Sequence, residues 1–244
     1  MLDMARVGPG DVVYDLGAGD GRVAISAAQR GARGVGVEYV QWLVQRSWAR
    51  ADSAGVRDRV DFIHGDVFEA DVSDASVVTL YLGADFNRRL RPRLLEQLRP
   101  GSRIVSHGFH MGEWEPDRTH TVGEGAERAT LYYWVVPARV DGFWLLEVEG
   151  LPAVSVELRQ EFQEFEVRVG GPGDQPPSPG RVIGEAVRFT ARIPSAGQLT
   201  EHRFRGRMDG DALAGYADGE DGKRRSWRAV RFSDLSGDAW ESRP

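Results

Sequence analysis

Val12-Val13-Tyr14-Asp15-Leu16-Gly17-Ala18-Gly19-Asp20-Gly21-Arg22 is the stretch that decides the fold. An apolar run holding one acid passes into three glycines at alternate positions. That is how a buried strand reads when it ends in a tight bend that opens a helix. Glycine permits the left-handed backbone of such a bend and lets a ligand approach without a Cβ in the way. The same texture continues outward. Arg22 to Arg30 predicts a helix ended by Gly31, and Gly34 to Glu38 a second strand. Val40 to Ala54 predicts a helix stopped by Gly55, and Val60 to His64 a third strand. Ser76 to Leu82 reads as a fourth strand, and Phe86 to Leu98 as a helix that Pro92 either opens or kinks. Ser102 to His107 is a fifth strand, and Thr119–Val122 with Thr130–Val136 a closing antiparallel pair. This alternation predicts an α/β, Rossmann-like parallel sheet with helices on both faces and a ligand site at the carboxyl ends of its strands.

Beyond about residue 140 the pattern changes to short strands with partial period-2 alternation: Phe143–Leu146, Val154–Leu158, Phe162–Val169, Ala186–Ile193, Thr200–Met208, Ala212–Tyr216 and Trp227–Phe232. Such a series predicts an antiparallel β-barrel or sandwich, with Trp144 and Trp227 as core anchors. The domains are then residues 1–138 and 139–244. Residues 170–180 hold four Gly and four Pro and read as a mobile loop; 233–244 read as a polar tail.

Of 244 residues, 41% are hydrophobic and 28% charged, as expected of a globular core. The formal net charge of -6 argues against a nucleic-acid partner through bulk electrostatics. Lys223 is the only lysine, a bias of composition with no function attached. With no cysteine there is no disulfide, thiolate metal site or Cys nucleophile. No apolar run is long enough to span a bilayer, and the first residues lack the basic-then-apolar order of an export signal. A cytoplasmic location is the expectation; the oligomeric state is not readable.

The chemistry lies in three acids at strand ends. Glu38 follows Gly17 by 21 residues at the end of the second strand, where a carboxylate can take both hydroxyls of a ribose. Asp66, after the third strand, can accept from an adenine amino group, with Val67 or Phe68 against the ring. A dinucleotide site is the rival. Here, however, the spacing is G-x-G-x-G followed by Arg, not G-x-G-x-x-G. Asp15, two residues before the first glycine, suits a ligand carrying an ammonium and a sulfonium, and would oppose a pyrophosphate. These features predict S-adenosylmethionine (SAM) as cofactor, held by Asp15, Gly17, Ala18, Gly19, Glu38, Tyr39, Asp66 and Val67. A nicotinamide-dependent oxidoreductase stays open as an alternative. So does a non-catalytic SAM-fold protein whose β domain recognises a partner or an apolar ligand.

Methyl transfer from a sulfonium is an in-line displacement that mainly needs alignment, and a base only if the nucleophile arrives protonated. The catalytic candidates are Tyr81, Asn87 and His107. Tyr81 lines the methyl pocket or is a core aromatic; Asn87 orients an acceptor or caps a helix; His107, with His110, acts as a base or is simply a loop histidine. No metal is expected, the His107/His110 spacing being a weak signal. Glu113, Glu115 and Asp117 around Trp114 either meet a cationic substrate or form a solvated acidic loop. Arg88, Arg89, Arg91 and Arg93 read as a solvated helix face or a contact for an acidic partner. The acceptor is an amine of a protein lysine or a small molecule.

Asp15 to Arg22, Gly36-Val37-Glu38-Tyr39, Gly65-Asp66 and Thr79-Leu80-Tyr81-Leu82 resemble class I SAM-dependent methyltransferases. Asn87 to Pro92, Leu98 to His107 and Met111 to Asp117 resemble, more narrowly, a bacterial group similar to the mitochondrial ATP synthase c-subunit lysine methyltransferases. The resemblance covers about residues 1–137. Gly142-Phe143-Trp144 and the Gly-spaced strands after it look like a lipocalin-like barrel appended in some bacterial relatives. Relatives carry a segment before the first strand whose helix helps close the cofactor pocket. Met1 to Met4 is expected inside that helix; either the start is trimmed, which would weaken SAM binding, or this chain closes the pocket differently. Gly83-Ala84-Asp85 replaces a Leu/Val-Pro type turn of the relatives beside the transferred methyl, which leaves acceptor choice open.

Overall fold

The computed structural model describes residues 1–125, 128–170, 175–195 and 197–232. The chain divides into two compact units, Met1–Val136 and Pro137–Pro244.

The first unit is a seven-stranded sheet in the order β3-β2-β1-β4-β5-β7-β6. Its strands are β1 (Val12–Leu16), β2 (Arg33–Glu38), β3 (Val60–His64), β4 (Val77–Leu80), β5 (Arg103–His107), β6 (Arg118–Val122) and β7 (Ala129–Val135). β1 to β5 run parallel, and β7 is inserted antiparallel between β5 and β6. Three α-helices occur among the described residues: α1 (Arg22–Gln29), α2 (Gln41–Ser53) and α3 (Ala84–Gln97). α1 reaches the sheet through small residues: Ala24, Ala27 and Ala28 are buried, and a Cβ on Gly34 of β2 would lie 2.3 Å from the Ala24 carbonyl oxygen. This close approach fixes the start of α1, and with it the glycine bend.

Two expectations for this unit need correction. α3 begins at Ala84, with Gly83 before it at φ 111°, and Pro92 lies inside the helix. Residues 1–7 form turns, not a pocket-closing helix. Leu2, Ala5 and Val7 are buried with Val13, Val77 and Val105, and Arg103, first residue of β5, donates to the Ala5 carbonyl at 2.6 Å. These contacts are at the amino ends of the strands, the edge opposite the glycine bend.

The second unit is a closed barrel of eight antiparallel strands, each paired with the next in the chain and the last with the first. They are β8 (Gly142–Val148), β9 (Val154–Glu161), β10 (Glu164–Val169), β11 (Ser178–Ile183), β12 (Ala186–Ser195), β13 (Gln198–Asp209), β14 (Ala212–Gly219) and β15 (Arg224–Arg231). Closure leaves no unpaired edge. The barrel takes the place of the sandwich alternative. Inward positions are filled by the protein's own side chains: Trp144, Leu146, Leu158 and Phe204 are fully buried. Phe189 stacks on Phe204 at 4.5 Å, and Trp227 stands edge-on to Phe204 at 5.5 Å. The buried indole N–H groups donate to the Val140 and Arg205 carbonyls. Among the described residues the interior is therefore a packed core, as small barrels have. β11 has no counterpart among the expected strands, because its Ser-Pro-Gly start reads as loop. Of the loop expected at 170–180, residues 171–174 lie outside the described residues and Ser178–Gly180 belongs to β11. The tail at 233–244 also lies outside them. No described helix is long and apolar enough to cross a membrane.

Candidate active site

The glycine bend joins β1 to α1 at the carboxyl edge of the sheet. Gly17, Gly19 and Gly21 all have positive φ, at 78°, 56° and 76°. Two of them are also confined. A Cβ on Gly17 would strike Leu82 at 2.3 Å, and one on Gly21 would lie 2.7 Å from the Phe62 ring. Above Gly19 there is open space. That is the form of a cradle: walls that exclude side chains, and a gap over exposed backbone.

Glu38, last residue of β2, closes over this bend. One of its carboxylate oxygens accepts from Gly19 N at 2.8 Å and the other from Val40 N at 2.9 Å. Asp66 follows the next strand; Gly65 N donates to the Glu38 carbonyl at 3.1 Å, which ties the two strand ends together. Asp66 is exposed and accepts from Phe68 N at 2.9 Å, while Val67 beside it is buried. The Phe68 ring is set by Phe86 of α3, stacked at 5.7 Å, and by the Arg89 guanidinium 4.1 Å above it. Tyr39 is 74% exposed, and its carbonyl meets His64 Nε2 at 2.9 Å. Ala18 is buried and donates to the Val37 carbonyl, anchoring the bend to β2.

Asp15 is the buried acid of the set. Thr79 Oγ1 donates to its carboxylate at 2.6 Å. Burial pushes the Asp15 carboxyl up to about 7; the Thr79 bond pulls it down, and the negative charges of Glu38 and Asp20 push it up again. A buried carboxylate with one neutral donor and like charges around it is destabilised until a cation arrives. The donor set therefore fits a ligand with an ammonium and a sulfonium.

The acceptor edge is formed by the ends of β4 and β5. The Tyr81 ring is 65% exposed, stands edge-on to His107 at 4.7 Å, and stacks on Phe109 at 6.1 Å. His107 Nδ1 is buried without a partner. Asn87 is neither a helix cap nor an acceptor ligand by its amide nitrogen. It is fully buried in α3, and Nδ2 donates to Ser106 Oγ at 2.9 Å and to the Phe109 carbonyl at 3.1 Å. It ties α3 to the loop after β5. The acidic cradle around Trp114 does not form. Trp114 is fully buried against Trp134, Glu113 is bonded to Arg91 at 2.7 Å, and Asp117 accepts from Val135 N at 2.8 Å. The arginines of α3 are staples, not a free face: Arg88 pairs with Asp85, Arg91 also holds the Met111 carbonyl, and Arg93 holds the Glu69 and Ala70 carbonyls.

Sequence reasoning misses three contributors. Thr79 is a polar residue inside an otherwise apolar strand, and that contrast is the signal that could have found it. Ser47 is buried in α2 and donates to the Gly19 carbonyl at 3.2 Å; Ser106 receives Asn87. Neither has a local signature.

A family profile described as "ANTKMT methyltransferase domain" matches residues 15–118, which run from Asp15 through the acceptor edge. A protein-lysine N-methyltransferase of Saccharolobus islandicus is 39% identical over 138 residues, covering 56% of this chain and 86% of the relative. The chain belongs to this methyltransferase family. The mouse lysine N-methyltransferase of the ATP synthase c-subunit is 32% identical over 170 residues, 66% of this chain and 67% of the relative. An RNA methyltransferase of Salinibacter ruber, solved with S-adenosylhomocysteine, is 51% identical, with TM-score 0.53, over 57% of this chain and 89% of that one. As a member of the family, the chain is a SAM-dependent methyltransferase, and the nicotinamide alternative is set aside. The family profile stops before the barrel.

Proposed function

We propose that this methyltransferase acts on the ε-amino group of a lysine in a protein. The observation that carries the reading is the aromatic rim of Tyr81, His107 and Phe109 at the carboxyl ends of β4 and β5. Tyr81 directly follows β4, whose Leu80 is in register with Leu16 after Asp15. A lysine side chain is an apolar stem ending in an amine, and such a rim takes the stem while the cation-attracting ring faces hold the head. The relatives named lysine methyltransferases support the same acceptor class.

The bound cofactor supplies a methyl group already activated on sulfur. The chain supplies the rest. Asp15, Glu38 and Asp66, with the backbone of Gly17, Ala18 and Gly19, would hold and orient the cofactor, with Val67 and Tyr39 as its neighbours. Tyr81 aligns the amine, the apolar surroundings lower the amine's proton affinity, and His107 takes the proton. Asn87 is a positioning residue that holds the Phe109 segment in place. Methyl-labelled SAM incubated with lysate protein, followed by mass spectrometry, should place label on lysine. The Salinibacter ruber relative, described as an RNA methyltransferase, supports a second reading in which RNA is the acceptor. Label that survives protease and is released by ribonuclease would establish that reading and reject the first.

A further inference from the structure

One face of the barrel carries a charge pattern that the fold does not need. Outward positions of β11, β12 and β13 place Arg181 opposite Arg188, and Arg188 opposite Arg205. Like charges directly opposite on neighbouring strands destabilise a sheet. Arg181 is neutralised by Glu164. Arg188, Arg203 and Arg205 form no ion pair among the described residues. Asp218, the carboxylate opposite Arg203, is already bonded to Arg224 at 2.8 Å. These four arginines and Glu164 line a cleft of about 330 Å³. Its floor runs along Phe189 and Phe204, whose rings belong to the core on the other side. Tyr216, 61% exposed and opposite Arg205, adds a hydroxyl at the margin.

We propose that this cleft binds a short acidic segment of polypeptide, belonging to the protein acceptor. The proposal rests on the protein-lysine reading for that last clause. Arg203 and Arg205 are two residues apart on one strand, so their Cα atoms repeat at about 6.8 Å. Acidic side chains at alternate positions of an extended peptide repeat at the same interval. Each guanidinium can take a carboxylate through two parallel N–H donors. A nucleic-acid strand fits less well. It needs a positive track several nucleotides long, whereas here Glu164 and Glu166 on β10 and Asp218 on β14 bound the patch on both sides. The net charge of -6 also opposes a long polyanion.

The test uses the full chain and fluorescence anisotropy with a labelled octapeptide alternating Glu and Ser, against its Gln–Ser counterpart. The Glu peptide should bind and the Gln peptide should not, with affinity falling as salt rises. Arg188→Gln with Arg205→Gln should weaken binding about tenfold or more. Arg168→Gln, on β10 beside Glu166, should change it less than about twofold. Because the double substitution removes an opposed like-charge pair, the melting temperature should hold or rise. A second variant, Arg188→Glu with Arg205→Glu, should instead prefer an octapeptide alternating Lys and Ser. Equal binding by wild type and the Gln variant, no reversal in the Glu variant, or tighter arginine-dependent binding of a short single-stranded RNA would overturn the proposal. Lysine methylation without peptide binding removes this inference alone. Peptide binding without label on lysine removes the acceptor reading alone.

Discussion

Cofactor affinity should depend on pH through Asp15. Its carboxyl titrates near 7 in the cofactor-free pocket because it is buried. A ligand ammonium or sulfonium pairs with the ionised form only, so binding must displace the proton. At pH 7.5 roughly three quarters of the chains carry the charge, and at pH 5 about one in a hundred, taking the titration point of about 7. The dissociation constant for SAM should therefore rise roughly 75-fold between those values, about 2.6 kcal/mol, with a slope near tenfold per unit below pH 6. The range stays below the point where the ligand's own amine loses its proton. Isothermal titration calorimetry in buffers of different ionisation enthalpy should also register a proton released at pH 6. Asp15→Asn, of the same shape, should bind weakly with a flat profile. A wild-type constant that varies less than threefold from pH 7.5 to 5 would refute the reasoning. The same shift sets a sign for stability. A carboxyl raised in the folded chain favours the folded state at low pH, and that contribution is lost as pH rises from about 4 through 7. Cofactor should then stabilise the fold more at pH 8 than at pH 5.

Thr79→Val removes the hydroxyl that holds the Asp15 charge; the titration should move upward and SAM binding at pH 7 weaken about tenfold, read by the same calorimetry. Gly21→Ala forces a Cβ toward the Phe62 ring at 2.7 Å in a left-handed backbone, and should lower stability by about 1–3 kcal/mol in denaturant titration. Asn87→Ala frees the Phe109 segment; kcat should fall about tenfold while S-adenosylhomocysteine binding changes less than twofold, and equal loss in both would place Asn87 in the cofactor site instead. Phe204→Ala empties the barrel centre and should destabilise that unit by about 3–5 kcal/mol by thermal melting.

The parallel half of the fold is legible in the sequence because its inner strands β1, β2, β4 and β5 are largely buried on both faces and its bends need glycine. Val77–Leu80, buried at every position, stands out as a largely apolar run, and Gly17 and Gly21 mark a bend whose positive φ and close neighbours disfavour a side chain. Glu38 is legible as an acid at a strand end. The acceptor edge is less so. Asn87 gives the same local signal whether it caps a helix or sits buried in one, and only the return of β5 alongside α3 separates the two. Trp114 sits among acids in the sequence, yet its environment is Trp134 on a strand 20 residues away. In the barrel, alternation reveals most strands, but Pro179 and Gly180 hide β11: Gly180 is there because the Phe165 ring lies over it, a contact made across strands. The arginine face is likewise invisible, because opposite residues on β12 and β13 become neighbours only once the register is known.

The most direct measurement is a crystal structure with S-adenosylhomocysteine. The ligand should thread the gap above Gly19, with both ribose hydroxyls on Glu38, which exchanges its bond to Gly19 N for them, and the amino-acid ammonium toward Asp15. A ligand bound elsewhere, or one whose ribose leaves Glu38 clasped to Gly19, would contradict the account.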